Sequence, residues 1–141
     1  MPIVNFHLID GRHDDAAIGR LLVAASHFYV ETLYPGQNPP PLDRVRAFVT
    51  PVVPGHWATA GVLASDGGAD APYFTCLTLA GRPVEQLHRL ISGFTDLLVA
   101  HLACARASVR GQVLPIDPAH WGIGGAPASA VRQDEAALRA G

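Results

Sequence analysis

Apolar residues recur every three or four positions in two long stretches of the chain. The first stretch carries Ile18, Leu21, Leu22, Ala25, Tyr29 and Leu33. The second carries Leu87, Leu90, Ile91, Phe94, Leu98 and Leu102. A shift of 69 residues superimposes the two sets position for position. This spacing places the apolar side chains on one face of a helix, so we predict two amphipathic helices of about five turns each.

A short β-rich segment that ends in a turn precedes each predicted helix. The first runs from Pro2 to Arg12 and the second from Pro72 to Arg82, and both close on Gly-Arg. Branched and aromatic residues before a glycine turn are typical of a strand. Each unit therefore opens with a strand that leads into its helix.

A third segment is also repeated. Arg46 lies eleven residues before Trp57, and Arg110 lies eleven residues before Trp121. The residues at 46–50 and 109–113 are predicted as second strands, and a run of small residues after each tryptophan predicts a hairpin. The unit is therefore strand, helix, strand and small hairpin, written twice.

The repeat sets the expected domain organisation. We predict one domain over residues 1–141, with the first unit at 2–66 and the second at 72–132. A turn-rich linker at 67–71 joins the units, and a C-terminal tail occupies 133–141. A proline-rich loop lengthens the first unit after its helix.

The predicted fold class is α/β (α+β), built from two tandem β-α-β units. In each unit the two strands lie parallel and are joined by a right-handed crossover. The units then share a four-stranded sheet with both helices on one face. The other face is expected to be exposed and apolar, which predicts oligomerisation.

The amino-acid composition excludes several classes of protein. Of the 141 residues, 49% are apolar and 16% are charged, which excludes a disordered chain. The net charge of -2 excludes a general nucleic-acid binder. All ten basic residues are arginines, whose planar fork suits carboxylate binding. A genomic codon bias is the alternative explanation for the absence of lysine.

The cysteines and the apolar runs indicate the expected compartment. Cys76 and Cys104 lie in apolar surroundings and are expected to be buried thiols rather than a disulfide framework. The apolar runs are too short to span a membrane, and the N-terminal segment lacks the pattern of a signal peptide. We therefore expect a cytoplasmic protein with no nucleic-acid or membrane partner. His/Cys clusters with zinc spacing are absent from the sequence, so no metal is expected.

Several motifs resemble 4-oxalocrotonate tautomerase. The opening MPI with LIDGR at 8–12 is similar to the start of that enzyme. The segment HWGIGGAPAS at 120–129 is similar to its C-terminal hairpin, and the arginine-to-aromatic spacing of eleven also matches. The doubled arrangement resembles the longer members of the tautomerase superfamily, including malonate semialdehyde decarboxylase and the 3-chloroacrylic acid dehalogenases. The chain is thus identified as a fused tandem member of that superfamily.

The resemblance implies an N-terminal proline that acts as base or acid. Removal of Met1 leaves Pro2 as a free secondary amine. An apolar pocket and nearby arginines both disfavour its ammonium form, so the amine can be neutral near pH 7 and accept a proton. Pro72 is bonded within the chain, and its amide nitrogen is not basic.

The resemblance also implies roles for the repeated arginines and tryptophans. Arginines at these positions bind substrate carboxylates and stabilise the developing enolate. Fused relatives place the proline on one half and its arginines largely on the other, which implies that Pro2 uses Arg82 and Arg110. Tryptophan supplies an apolar pocket wall. The full set of expected binding residues is Arg82, Arg110, Trp121, Arg12, Arg46 and Trp57. Interface ion pairs and hairpin packing are the alternative roles.

Two carboxylates are candidates for activating water. Asp43 aligns with an acidic residue of the decarboxylase, and Asp117 is the second candidate; both also suit a cap or turn. The decarboxylase carries a second arginine two residues before the one that matches Arg82, and Ala80 stands there in this chain. That departure weakens the decarboxylase and dehalogenase interpretations.

The leading prediction is an enol-keto tautomerase of small unsaturated 2-oxo (di)carboxylic acids. It needs no metal or organic cofactor, acts on a small carboxylate substrate and forms a homotrimer. One alternative is a hydratase, decarboxylase or dehalogenase of a three-carbon acid. Another is a ligand-binding protein without catalysis, because a fold does not determine a function.

Overall fold

A computed structural model describes residues 2–132, while Met1 and the predicted tail at 133–141 lie outside the described residues. The first unit has the order strand, helix, strand and hairpin. Its elements are β1 (Ile3–Ile9), α1 (Asp15–Leu33), β2 (Arg46–Val52), β3 (Ala58–Thr59) and β4 (Val62–Leu63). The second unit repeats that order and adds a short helix. Its elements are β5 (Tyr73–Leu79), α2 (Val84–Leu102), β6 (Arg110–Ile116), β7 (Gly122–Ile123), β8 (Ala126–Pro127) and α3 (Ala128–Val131).

The two units share one sheet, as predicted. The strand order is β2-β1-β5-β6. Strand β1 is parallel to β2, and β5 is parallel to β6, so each unit is a β-α-β crossover. Strands β1 and β5 are antiparallel, with Asn5 opposite Thr75. This junction relates the units by an approximate twofold rotation.

The core lies between the sheet and helices α1 and α2. Alternate residues of β1, namely Val4, Phe6 and Leu8, are buried against it. Phe94 of α2 is the aromatic centre of this core, because its ring packs against four other aromatic rings, three of them edge-on and one tilted. Those rings are Phe6, Phe28, Tyr29 and Phe74, with centroids 5.1–5.9 Å from that of Phe94.

The second strands are longer than predicted at their C-terminal ends. The predictions at 46–50 and 109–113 stop before Pro51 and Pro115, but the strands continue to Val52 and Ile116. Both prolines lie in edge strands of the sheet. An edge strand tolerates proline because its missing N–H can point away from the neighbouring strand.

The sheet face opposite the helices is less apolar than expected. Its middle carries polar pairs: the hydroxyl of Thr50 donates to Asn5 Oδ1 over 2.9 Å, and that of Tyr73 donates to Gln112 Oε1 over 3.0 Å. Apolar side chains of this face, such as Phe48, lie around these pairs. The prediction of an exposed and apolar face therefore holds for only part of its surface. The outward positions of β1 and β5 alternate with core positions, so they are free to be polar.

Among residues 2–132, no helix combines the length and the apolar character needed to cross a membrane.

Candidate active site

The strand directions determine which strand starts and strand ends lie together at each end of the sheet. Because β1 and β5 are antiparallel, the starts of β1 and β2 lie beside the ends of β5 and β6. We call this the Pro2 end, since Pro2 directly precedes β1. The opposite end, where β5 and β6 start, is called the Pro72 end.

Pro2 is buried at the entrance to β1. Its carbonyl accepts a hydrogen bond of 3.0 Å from the backbone N–H of Arg46. The second unit reproduces the contact, because the Pro72 carbonyl accepts one of 3.1 Å from the N–H of Arg110. Each proline is therefore fixed next to the arginine that opens the parallel neighbouring strand.

A pocket of about 310 Å³ opens at the Pro2 end. It is lined by Ile3, Arg44, Arg46 and the hairpin residues 121–124. Ile3 follows Pro2, whereas Trp121 comes from the second unit, so both units build this pocket. The guanidinium of Arg46 donates to the Asp43 and Val45 carbonyls over 2.9 and 3.0 Å. These bonds hold the Arg46 side chain at the pocket.

Arg82 lies at the Pro2 end of the sheet, just after β5. Its Nη1 donates to the carbonyl of Leu33 over 2.7 Å and to Gln86 Oε1 over 3.4 Å. Leu33 is the last residue of α1, where unpaired carbonyls and the helix dipole favour a cation. The guanidinium carbon also lies 5.0 Å from the ring centroid of Tyr34. Arg82 therefore has a defined position beside the end of α1.

The Pro72 end holds the equivalent residues. Arg12 donates from Nη2 to the carbonyl of Ala64 over 3.2 Å. Arg110 donates to the carbonyls of Ala107 and Val109 over 2.8 and 3.0 Å. The third residue, Trp57, donates from its indole N–H to Thr59 Oγ1 over 3.1 Å.

Within one chain, Arg110 is remote from Pro2. Arg110 is paired with Tyr73, which is paired with His7, four residues along β1 from Ile3. Four residues of strand span about 13 Å. One chain therefore brings Arg82 and Trp121 to the Pro2 end, together with Arg46, but does not bring Arg110 there. The expected use of Arg110 by Pro2 is not met within a chain, because the antiparallel β1–β5 junction places the start of β6 at the far end.

The two candidate carboxylates differ in their surroundings. Asp43 lies exposed in a short 3₁₀ turn, Leu42–Arg44, beside the pocket-lining Arg44. Asp117 accepts a 2.9 Å bond from the backbone N–H of Ala119 and so caps the turn before the second hairpin. The structure therefore gives Asp117 the cap role that the sequence left open.

Sequence reasoning did not single out two residues near this pocket. Arg44 lines it, and its guanidinium carbon lies 5.3 Å from the ring centroid of Tyr34. Tyr34 caps the C-terminus of α1, donating its backbone N–H to the Val30 carbonyl over 2.8 Å. The sequence feature that could have indicated these residues is the proline-rich insertion between Tyr34 and Arg44, which the second unit does not share. Within the described residues, no three His, Cys, Asp or Glu side chains form a metal-binding group.

Comparison of the sequence with known proteins identifies a curated relative. A search with models of protein families gives no match. A probable tautomerase of Ralstonia nicotianae is 36% identical to the chain over 62 residues, which are 44% of this chain and 89% of that protein. That relative is therefore comparable in length to one repeat unit.

Solved structures match both units together. A fused 4-OT, wild type and a symmetric trimer, is 27% identical, with a TM-score of 0.78 over 92% of this chain and 98% of that one. A crystal structure of a protein inactivated by 2-oxo-3-pentynoate has a TM-score of 0.80 at 24% identity with the same coverage, which shows a shared fold. The chain therefore belongs to the tautomerase superfamily, as a fused tandem member similar to the fused 4-OT proteins.

Proposed function

We propose that the protein is an enol-keto tautomerase of small unsaturated 2-oxo carboxylic acids, with Pro2 as its proton-transfer group. The observation that carries the proposal is the pocket at the Pro2 end, which Arg44, Arg46 and Trp121 line together with Ile3, the residue that follows the buried Pro2. Cationic side chains and an apolar wall suit a small unsaturated carboxylate. The family relationship supports the same reaction class.

The proposed reaction needs Met1 to be removed, so that Pro2 has a free amine. The neutral amine takes the hydroxyl proton of a 2-hydroxydienoate and leaves a dienolate. The resulting ammonium group returns that proton to a carbon of the dienolate, which gives the 2-oxo acid and restores the amine. One proton moves and no group is lost, so the step balances without a metal or organic cofactor.

Two arginines bind the substrate in this proposal, and one tryptophan forms the apolar wall of the pocket. Arg46 and Arg82 bind the carboxylate and stabilise negative charge on the 2-oxygen as the dienolate forms. Trp121 packs against the diene and excludes water, which keeps the Pro2 amine neutral.

Arg12, Arg110 and Trp57 lie at the Pro72 end of the sheet, where the proline nitrogen is an amide and not a base. Contact between chains is the route by which these side chains reach a Pro2 site. We propose one working site per chain.

We also propose that three chains form a homotrimer in the cytoplasm. The symmetric trimer of the similar fused 4-OT supports this assembly. The edge strand β2 with its exposed Phe48 supports it as well, because an unpaired strand edge favours association.

The test is a turnover and labelling experiment. Purified chain that has lost Met1 by mass spectrometry is assayed with a 2-hydroxydienoate, and 2-oxo-3-pentynoate serves as the covalent probe. We expect rapid ketonisation, one label per chain on the Pro2 nitrogen, and loss of activity in step with labelling. Pro2→Ala should reduce the rate by about 100-fold or more, the scale of general acid-base catalysis.

The control is Pro72→Ala, which should keep the rate because Pro72 has no basic nitrogen. Labelling of another residue, or full activity in Pro2→Ala, would contradict the mechanism. Release of carbon dioxide or addition of water would favour the hydratase or decarboxylase alternative. Binding of the acid without any turnover would favour the ligand-binding alternative.

A further inference from the structure

The Pro72 end keeps the framework of the pocket at the Pro2 end. The guanidinium of Arg110 donates from Nη1 to two backbone carbonyls just before it, over 2.8 and 3.0 Å, as that of Arg46 does over 2.9 and 3.0 Å. The hairpins also match, because the carbonyls of Trp57 and Trp121 each accept a backbone hydrogen bond, from Ala64 over 2.8 Å and from Ala128 over 2.7 Å. Each end therefore holds one fixed guanidinium and one hairpin tryptophan.

Four side chains around this framework are apolar at one end and polar at the other. Strands β1 and β5 are related by a shift of 70 residues, and the second strands with their hairpins are related by a shift of 64. The four residues at the Pro2 end are Ile3, Phe48, Leu77 and Ile123, and their counterparts at the Pro72 end are Tyr73, Gln112, His7 and Thr59. The Pro72 end is thus the more polar of two otherwise similar arrangements.

Contacts among the polar side chains hold them in place. The ring of Tyr73 packs at a tilt against the ring of His7, with centroids 5.3 Å apart, and its hydroxyl donates to Gln112 Oε1 over 3.0 Å. The indole N–H of Trp57 donates to Thr59 Oγ1 over 3.1 Å. Groups that are already ordered lose little conformational freedom when a ligand binds, which favours binding.

The remaining hydrogen-bonding groups suit a ligand with both a carboxylate and a hydroxyl. The Tyr73 hydroxyl donates its proton to Gln112, so its oxygen can still accept, and the Gln112 amide nitrogen carries two donors. Arg110 is paired with Tyr73 between β5 and β6, and its two bonds to the protein come from Nη1, so its Nη2 can bind a carboxylate. Arg110 and Gln112 are exposed, so a ligand can reach both.

We propose that the Pro72 end is a second, non-catalytic site that binds a small hydroxylated carboxylate. Arg110 binds the carboxylate, and Tyr73 together with Gln112 binds a hydroxyl group of the ligand. The amide nitrogen of Pro72 takes up no proton, so the ligand is held without turnover. This site is independent of the chemistry proposed for Pro2.

Binding of two three-carbon acids to a fluorescent variant tests this inference. Glycerate carries two hydroxyls that propionate lacks. The chain has two tryptophans, so Trp121→Phe leaves Trp57 as the reporter of the Pro72 end. We expect a saturable change in Trp57 fluorescence and an affinity for glycerate about 5-fold or more above that for propionate, the effect of one or two further hydrogen bonds.

Further variants in this background assign the contacts. Arg110→Ala should weaken binding of both acids by about 10- to 100-fold, since both carry the carboxylate. The double variant Tyr73→Phe with Gln112→Leu should lower the affinity for glycerate to that for propionate, and should change propionate binding by less than about twofold. Arg46→Ala, the equivalent change at the Pro2 end, is the control and should leave the Trp57 titration unchanged. Thermal unfolding confirms that each variant is folded.

The absence of a saturable Trp57 response to glycerate would overturn the inference, and so would equal affinities for the two acids. An effect of Arg46→Ala as large as that of Arg110→Ala would also contradict it, because the ligand would then be bound at the Pro2 end. Glycerate binding should persist in Pro2→Ala, and its loss there would show that the two ends form one shared site.

Discussion

Arg82 and Arg12 occupy equivalent positions in the two units but have different surroundings. Arg82 contacts the end of α1, the ring of Tyr34 and Gln86, all at the Pro2 end. Arg12 donates to the backbone carbonyl of Ala64 at the Pro72 end, where the proline nitrogen is an amide. Equivalence in sequence therefore does not make these residues equivalent in function.

We predict that Arg82→Ala impairs tautomerisation more than Arg12→Ala does. Loss of a charge-assisted carboxylate bond should cost about 1.5–3 kcal/mol of transition-state stabilisation, a fall in kcat/KM of about 10- to 100-fold. The measurement is steady-state kinetics with a 2-hydroxydienoate, with urea unfolding of both variants to show that the assayed chains are folded. Similar rates for Arg82→Ala and wild type would contradict the assignment.

The cysteines are buried, as predicted. Burial raises the pKa of the Cys76 thiol well above its ordinary value, and burial, together with the Asp70 carboxylate, raises that of Cys104. Above the ordinary thiol pKa of 9.0, the unfolded chain loses the Cys76 proton while the folded chain keeps it. The folded state then binds more protons, so its stability falls as the pH rises.

For the Cys76 thiol, the expected slope of the unfolding free energy is about 1.4 kcal/mol per pH unit above its unfolded pKa. Urea unfolding between pH 8 and 10.5 measures it. Cys76→Ala serves as the comparison and should have a shallower slope, although its stability at neutral pH is lower. Identical slopes for the two proteins would show that Cys76 ionises equally in both states.

At the scale of elements, the contact between α1 and α2 depends on a glycine. The ring of Phe28 in α1 lies over Gly93 in α2, and a Cβ on Gly93 would lie 1.9 Å from the ring's Cζ. The same ring packs perpendicular to Phe94, with centroids 5.1 Å apart. Gly93 therefore allows the helices to approach and the aromatic cluster to form.

Gly93→Ala should destabilise the protein by about 1 kcal/mol, because overpacking costs more than the gain in helix propensity. Gly19→Ala in α1 is the matched control, since a Cβ there meets no atom within 4 Å. That control should be stabilised by about 0.5–1 kcal/mol. Urea midpoints of both variants measure the difference. A stabilised Gly93→Ala would show that Phe28 moves without cost.

At the scale of the whole molecule, the sheet has open edges. Strands β2 and β6 each pair on one side within the described residues, and Phe48 on β2 is 44% exposed. Polar pairs in the middle of the open face make that face poorly suited to a dry interface over its whole area. Apolar side chains near the edges are better candidates for chain-to-chain contacts.

We predict a particle of about three times the chain mass of 14.9 kDa by light scattering. Phe48→Asp should shift it toward the monomer at micromolar concentration, because a charge is costly to bury in an interface. Val23→Asp is the control, since Val23 is 63% exposed on α1, away from the sheet edges. A monomeric wild type would contradict the trimer. An intact trimer in Phe48→Asp would place the interface elsewhere.

The sequence by itself determined the elements and their order. The 3.6-residue period and the 69-residue shift predicted α1 and α2, because each helix must bury one face to be stable. The repeated turns and tryptophans predicted the strands and hairpins. The predicted second strands end too early, before Pro51 and Pro115, and the structure carries both strands through these prolines. Proline is tolerated there because both strands are edge strands, and edge position depends on the whole sheet.

Only the tertiary structure decided which residues of the two units meet. The sequence contains four repeated arginines, but the antiparallel pairing of β1 with β5 sends Arg82 to the Pro2 end and Arg110 to the other. The grouping of Arg44 with Tyr34 likewise depends on how the inserted loop returns to the sheet. Local patterns record the period of each element, whereas contacts between distant residues depend on strand direction and loop path, which no local pattern carries.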